Sequence, residues 1–114
     1  MRQGIPAAGN FLHQELAVLT GAVEVMVVDV QCLMQGVVNA AQCYHTKIIT
    51  TDSRAKITGA THIEFNEHKA MEIAKTILRT AIDNYPKRGK VNIPDIQDHL
   101  VAGFSHEYIA YMLG

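Results

Sequence analysis

Two cysteines and six histidines are the side chains of this 114-residue chain best suited to soft-metal or nucleophilic chemistry. Cys32 closes the run Val23-Glu24-Val25-Met26-Val27-Val28-Asp29-Val30-Gln31-Cys32, which is nearly all apolar and mostly β-branched. Such a run reads as an interior strand buried on both faces, as in a parallel sheet covered by helices. Open parallel sheets hold their ligands just beyond the carboxyl ends of the strands, and Cys32 falls there. On position alone the simpler reading is a small buried thiol that packs. Asp29, at the same strand end, has the chemistry of a base or of an acceptor behind a metal ligand. Capping the helix that follows is the simpler role for it.

Cys43-Tyr44-His45 sets a thiol and an imidazole two residues apart at a helix end. Two donors do not make a metal site, and the plainer reading is a packed Cys beside a surface His. His13, His62, His68, His99 and His106 form no His-x-x-x-His pair and read as surface or satisfied core residues. The chain has no Gly-rich phosphate loop, no Gly-x-Ser-x-Gly elbow and no Cys-x-x-Cys. The charges along Glu67 to Lys75 read as a solvated helix face.

The elements that position these residues follow from periodicity and capping. Asn10 caps a helix over Phe11 to Thr20, with Phe11, Leu12, Leu16 and Leu19 in one apolar stripe and Gln14 off it. Gly21 suits the position after the helix end. The central strand Val23–Val30 follows. A second helix runs from Leu33 to Tyr44, weakened at Gly36 by about 1 kcal/mol relative to Ala. Lys47 to Thr51 is a second strand, Asp52 to Gly59 a loop, and Thr61 to Phe65 a short strand with one buried face. Asn66 caps the clearest helix, Glu67 to Asn84, in which Ala70, Ile73, Ala74, Ile77, Leu78, Ala81 and Ile82 make the amphipathic pattern of a helix laid on a sheet. Val91 to Ile93 is extended, and Pro94 keeps it out of a sheet centre. Leu100 to Ala102 reads as a further short strand, and Ser105 caps a last helix over His106 to Leu113.

Strands alternating with helices predict an α/β fold: a Rossmann-like parallel sheet with flanking helices. Residues 1–114 read as a single α/β segment, an incomplete part of a larger domain, since the pattern opens inside a βα unit and stops after a helix. The length allows one small domain that buries about 65% of its unfolded surface. A formal net charge of -1 argues against nucleic acid as a partner or an anionic membrane as a surface. No apolar run reaches the length of a transmembrane segment, and no signal-peptide core is present, so the chain reads as cytoplasmic. Two cysteines are too few for a disulfide framework.

Several stretches together resemble the anaerobic nickel-iron carbon monoxide dehydrogenase catalytic subunit. They are Gly4-Ile5-Pro6, Gln14-Glu15-Leu16-Ala17, Thr20-Gly21-Ala22, Val28-Asp29-Val30-Gln31-Cys32 and Cys43-Tyr44-His45-Thr46-Lys47-Ile48-Ile49-Thr50-Thr51. Gly59-Ala60-Thr61-His62-Ile63, the helix from Ala70, Val91-Asn92-Ile93-Pro94 and Val101-Ala102-Gly103-Phe104-Ser105 continue them. The similarity is collinear over essentially the whole chain. The Val-Asp-Val-Gln-Cys and Cys-Tyr-His-Thr pieces, with Cys32 and Cys43 eleven positions apart, are the specific combination.

The resemblance implies an enzyme several times longer, oxidising CO with water to CO2, two protons and two electrons at a nickel-iron-sulfur cluster. It implies that Cys32 is one cluster ligand and that Cys43 is not. It further implies a homodimer and a ferredoxin-type electron acceptor. The rest of the parent enzyme is then this chain's main partner, and no cluster is expected stably bound to the 114 residues alone. A thiolate at a rigid strand end suits iron in such a cluster. Two other readings of the residues stay open: a non-catalytic α/β module that self-associates without metal, and a thiol switch using Cys32 and Cys43.

Overall fold

A computed structural model describes residues 9–98 and 103–114. The strand expected at Leu100 to Ala102 lies outside the described residues. Among the described residues three parallel strands form one sheet: β1 (Val25–Val28), β2 (Lys47–Thr50) and β3 (Thr61–His62), in the order β1-β2-β3. Val25 pairs with Lys47 and Val28 with Thr50, while Ile49 pairs with Thr61 and Thr50 with His62. The third strand is shorter in its ladder than the sequence predicts. Its direction continues, because Ile63 and Phe65 still donate backbone hydrogen bonds to Thr50 and Thr51, both at 2.9 Å. The α/β layer with a parallel sheet is therefore as the alternation of elements predicts.

Among the described residues the β-branched run does not occupy the sheet centre. The central strand is β2, with Ile48, Ile49 and Thr50 all buried. β1 lies at the edge, and Val27 and Val30 are each 48% exposed. The run's composition is that of a strand covered on both faces, but among the described residues one face receives most of the cover. There α1 (Gln14–Leu19) and α2 (Gln35–Ala41) pack together over the sheet. Val18 of α1, Val37, Val38 and Ala41 of α2, and Val28 and Ile48 of the sheet make the core, with Met26 and Cys32 against it.

The stripe predicted on the first helix does not face the core. Phe11, Leu12, Leu16 and Leu19 stand exposed, and Val18 is the residue fully buried. The helix opens with a single 3₁₀ turn at Phe11–His13 before α1 begins. Three residues per turn in place of 3.6 shifts the phase on which the stripe was counted. The capping was legible: Asn10 Oδ1 accepts from Leu12 N at 3.0 Å. Gly21, at φ +69°, follows the helix end, and a Cβ there would stand 2.6 Å from the Lys90 carbonyl oxygen. Only glycine meets both conditions.

Asn66 Oδ1 accepts from His68 N at 2.9 Å and opens a 3₁₀ turn, Glu67–Lys69, that leads into α3 (Ala70–Asn84). Pro86 helps to close the helix in a last tight turn, Tyr85–Lys87. α3 packs against β1 and supplies none of the core residues above. Ile73, Ile77 and Ala81 are partly buried, whereas Leu78 and Ile82 remain exposed. Residues 91–93 form no ladder, and Asn92 N donates to the Thr20 carbonyl at 2.8 Å. Ser105 Oγ accepts from Tyr108 N at 3.1 Å and caps α4 (His106–Leu113), every residue of which is exposed.

Candidate functional site

The carboxyl ends of the three strands meet at one end of the sheet, and Cys32 lies there. A tight turn carries it. The Cys32 backbone N–H donates to the Asp29 carbonyl at 3.1 Å, and Asp29 Oδ1 accepts from Val30 N at 2.8 Å. Asp29 thus fixes the turn and does not cap the next helix: α2 starts at Gln35, its N-cap is Met34, and no side chain bonds that end. The loop between strand and helix is too long for Asp29 to reach the helix's free N–H groups. Cys32 is partly buried and packs with Leu33 and Met34 against the core, so backbone and packing together set where its sulfur points.

Beside it opens a cleft of about 370 Å³ lined by Asp29, Thr51, Asp52, Ser53, Glu64 and Phe65. Asp52 Oδ1 accepts from Arg54 N and Nε at 2.8 and 2.9 Å, and Oδ2 from Nη2 at 2.8 Å. The Arg54 side-chain and backbone donors hold the Asp52 carboxyl down to about 2, and the same pairing raises the Arg54 guanidinium. Thr50 Oγ1 and His62 Nδ1 are hydrogen-bonded at 2.9 Å, and His62 Nε2 lies 3.7 Å from a Glu64 carboxyl oxygen.

Cys43 is at the other end of the sheet. It follows α2, borders Gly21, His45, Lys87 and Asn92, and precedes the amino end of β2. Both cysteines are free thiols. A disulfide needs Cα atoms within about 7 Å, and the full length of α2 separates these two, so the structure does not bring them together as a switch within one chain. The reading of Cys43 as packed and His45 as superficial is reversed. Cys43 is exposed, and the His45 side chain is only 5% exposed. His45 is drawn inward by a carboxylate.

That carboxylate is Glu24, the centre of a polar group that periodicity did not reveal. Arg88 Nε donates to Glu24 Oε1 at 2.6 Å, Arg88 Nη2 reaches the same oxygen and the Ala22 carbonyl, and His45 Nε2 lies 3.4 Å from it. Burial pushes the Glu24 carboxyl up, but the bonds from Arg88 and His45, with the Arg88 charge, outweigh it and hold the group below its usual range. Asn84, fully buried, donates through Nδ2 to the Glu24 and His45 carbonyls and so ties the end of α3 to the amino ends of β1 and β2. The one signal in the sequence was a glutamate inside an apolar run, since a partly buried charge needs a partner. Nothing local pointed to Arg88, 64 residues away.

Among the described residues no three His, Cys, Asp or Glu side chains converge as a metal-binding group. Cys32 is a single, partly buried free thiol just beyond the carboxyl end of β1.

Comparisons with known proteins place the chain in a family. Carbon monoxide dehydrogenase 1 of Carboxydothermus hydrogenoformans is 54% identical over 115 aligned residues, which cover 99% of this chain and 18% of that protein. An as-isolated, nickel-free structure of carbon monoxide dehydrogenase from Thermococcus sp. AM4 superposes with a TM-score of 0.84 at 56% identity, covering 99% of this chain and 18% of that one. A structure of acetyl-CoA synthase/carbon monoxide dehydrogenase, described with nickel-containing Fe4S4 clusters in its alpha subunits, matches with a TM-score of 0.82 at 48% identity. It covers 99% of this chain and 17% of that one. The chain thus spans less than a fifth of the relatives it matches. The family model described as Prismane/CO dehydrogenase matches residues 1–108, and the chain belongs to that family.

Proposed function

We propose that these 114 residues are one α/β segment of a longer anaerobic nickel-iron carbon monoxide dehydrogenase, and that Cys32 is one thiolate ligand of its nickel-iron-sulfur cluster. The observation that carries this reading is identity of about half the residues, along nearly the whole chain, with proteins named carbon monoxide dehydrogenase. The position of Cys32 at the carboxyl end of a parallel sheet supports it. When bound, the cluster supplies the redox centre for CO + H2O → CO2 + 2H⁺ + 2e⁻.

The chain's own residues prepare one side of that centre. The turn at Asp29 fixes the backbone of Cys32, and Leu33 and Met34 pack beside it at the edge of the core. A thiolate held in this way is a soft ligand suited to iron, and its partly buried setting bears on the cluster's potential. The reading extends to a homodimer in the cytoplasm that passes electrons to a ferredoxin-type acceptor.

The experiment is CO-dependent viologen reduction by the full-length protein purified without oxygen. The wild type reduces viologen under CO, and Cys32→Ala does not. Undiminished activity in Cys32→Ala would refute the assignment. A self-associating module without metal would account for the exposed apolar side chains, but it gives no reason for the collinear identity.

A further inference from the structure

His62 is satisfied at one ring nitrogen only. Its Nδ1 and the hydroxyl of Thr50, its ladder partner on β2, are hydrogen-bonded at 2.9 Å, and Thr50 is fully buried. Nε2 is buried and, among the described residues, has no hydrogen-bond partner. A Glu64 carboxyl oxygen stands 3.7 Å away, beyond hydrogen-bond reach, on a side chain that is 64% exposed. Neither neutral form of the ring resolves this. With the proton on Nε2, a buried N–H lacks an acceptor. With the proton on Nδ1, a buried lone pair lacks a donor. Either way the unpaired group costs free energy.

An imidazolium ring has a donor at both nitrogens. Nδ1–H then donates to Thr50 Oγ1. Nε2–H needs only that the exposed Glu64 side chain close by about 1 Å to make a charge-assisted bond of about 2.8 Å. The charges around the ring favour that proton. β3 leads into Glu64, the loop after β2 supplies Asp52, and β2, the strand packed against β3, presents the uncharged Thr50 to the ring. Arg54 first, and a charge on His62 in lesser part, hold the Asp52 carboxyl down. The Arg54 guanidinium is itself engaged by Asp52 through two side-chain bonds. Asp29, after β1, adds a third carboxylate to the cleft that Asp52 and Glu64 line.

We propose that His62 is a pH-operated latch: on gaining a proton it closes on Glu64, fastens β3 to β2, and neutralises one carboxylate of the cleft beside Cys32. β3 suits a latch because its ladder is two residues long, continued only by the bonds from Ile63 and Phe65 to the Thr50 and Thr51 carbonyls. So short a strand gains a large share of its hold from one added bond. Histidine is the side chain that ordinarily changes charge between about pH 5 and 8. The Glu64 bond is present at the acid end of that range and is lost as pH rises and the ring gives up its proton. Closure leaves Asp29 and Asp52 as the charged walls of the cleft, so the same proton that fastens the strand also lowers the negative charge at the carboxyl ends of the sheet.

The test is hydrogen exchange of the full-length protein at pH 8 and pH 5.5, corrected for the intrinsic pH dependence of amide exchange. The reporters are the Ile63 and Phe65 amides, which bond the end of β2. In the wild type their protection is expected to rise by about threefold or more on going to pH 5.5, with a smaller rise at the amides of α3. Glu64→Ala removes the carboxylate from an exposed position, and His62→Asn keeps a donor for Thr50 but carries no charge. Both are expected to hold the change below about threefold. A wild-type rise under about threefold would overturn the latch, as would an equal rise in α3 or a rise of that size persisting in Glu64→Ala. Should His62→Asn fail to fold, the comparison of wild type with Glu64→Ala decides alone. The readout does not depend on bound metal, so failure of the latch and failure of the Cys32 assignment are separable.

Discussion

Cys32 is the residue whose place was legible in the sequence, because an apolar β-branched run ending in polar residues marks a strand end without any tertiary information. The burial of His45 was not legible, since it pairs with Glu24, which Arg88 holds from 64 residues away. The Glu24 group yields a residue-scale prediction. Replacing Asn84 by Ala leaves the Glu24 and His45 carbonyls without their side-chain donor. The local penalty is about 2 kcal/mol, or about 30-fold faster exchange at neighbouring amides of the full-length protein. Unchanged exchange in Asn84→Ala would remove the anchoring role. A second prediction concerns pH. The folded Glu24 carboxyl lies below its ordinary value, so its contribution is present above about 4.5 and is lost as pH falls through the folded value. Lowering pH from 6 to 3 is expected to loosen the amino ends of β1 and β2 more in the wild type than in Arg88→Ala. Equal loosening, read by exchange at residues 24–28, would contradict the linkage.

At the scale of elements, the order of helices and strands followed from periodicity and caps. Asn10, Asn66 and Ser105 each accept the hydrogen bond that their position predicts. What failed was the facing of elements. The 3₁₀ turn at Phe11–His13 re-phased the first helix, and strand order depended on register that no single run encodes. Among the described residues the buried centre is therefore β2 and not the more conspicuous Val23–Val30. Ile49, fully buried on β2, is expected to be the sensitive position: Ile49→Ala destabilises the segment by about 2–5 kcal/mol. Chemical denaturation followed by exchange at Lys47–Thr50 measures this, and a change under about 0.5 kcal/mol would show that β2 is not the packed centre.

At the scale of the molecule, the exposed side chains of α1, α3 and α4 exceed what one small chain normally leaves in water. Family membership accounts for them if other parts of a longer enzyme cover them. The 114 residues on their own are then expected to associate in solution and to show no CO-dependent viologen reduction after reconstitution with iron, sulfide and nickel. Two cysteines are too few to hold the cluster. Activity above a metal-only control would contradict that account. The most direct test of the central claim is the iron and nickel content of the full-length protein, purified without oxygen, in wild type, Cys32→Ala and Cys43→Ala. The account predicts that Cys32→Ala loses most of its nickel and part of its iron while Cys43→Ala retains both; full metal occupancy in Cys32→Ala would contradict it.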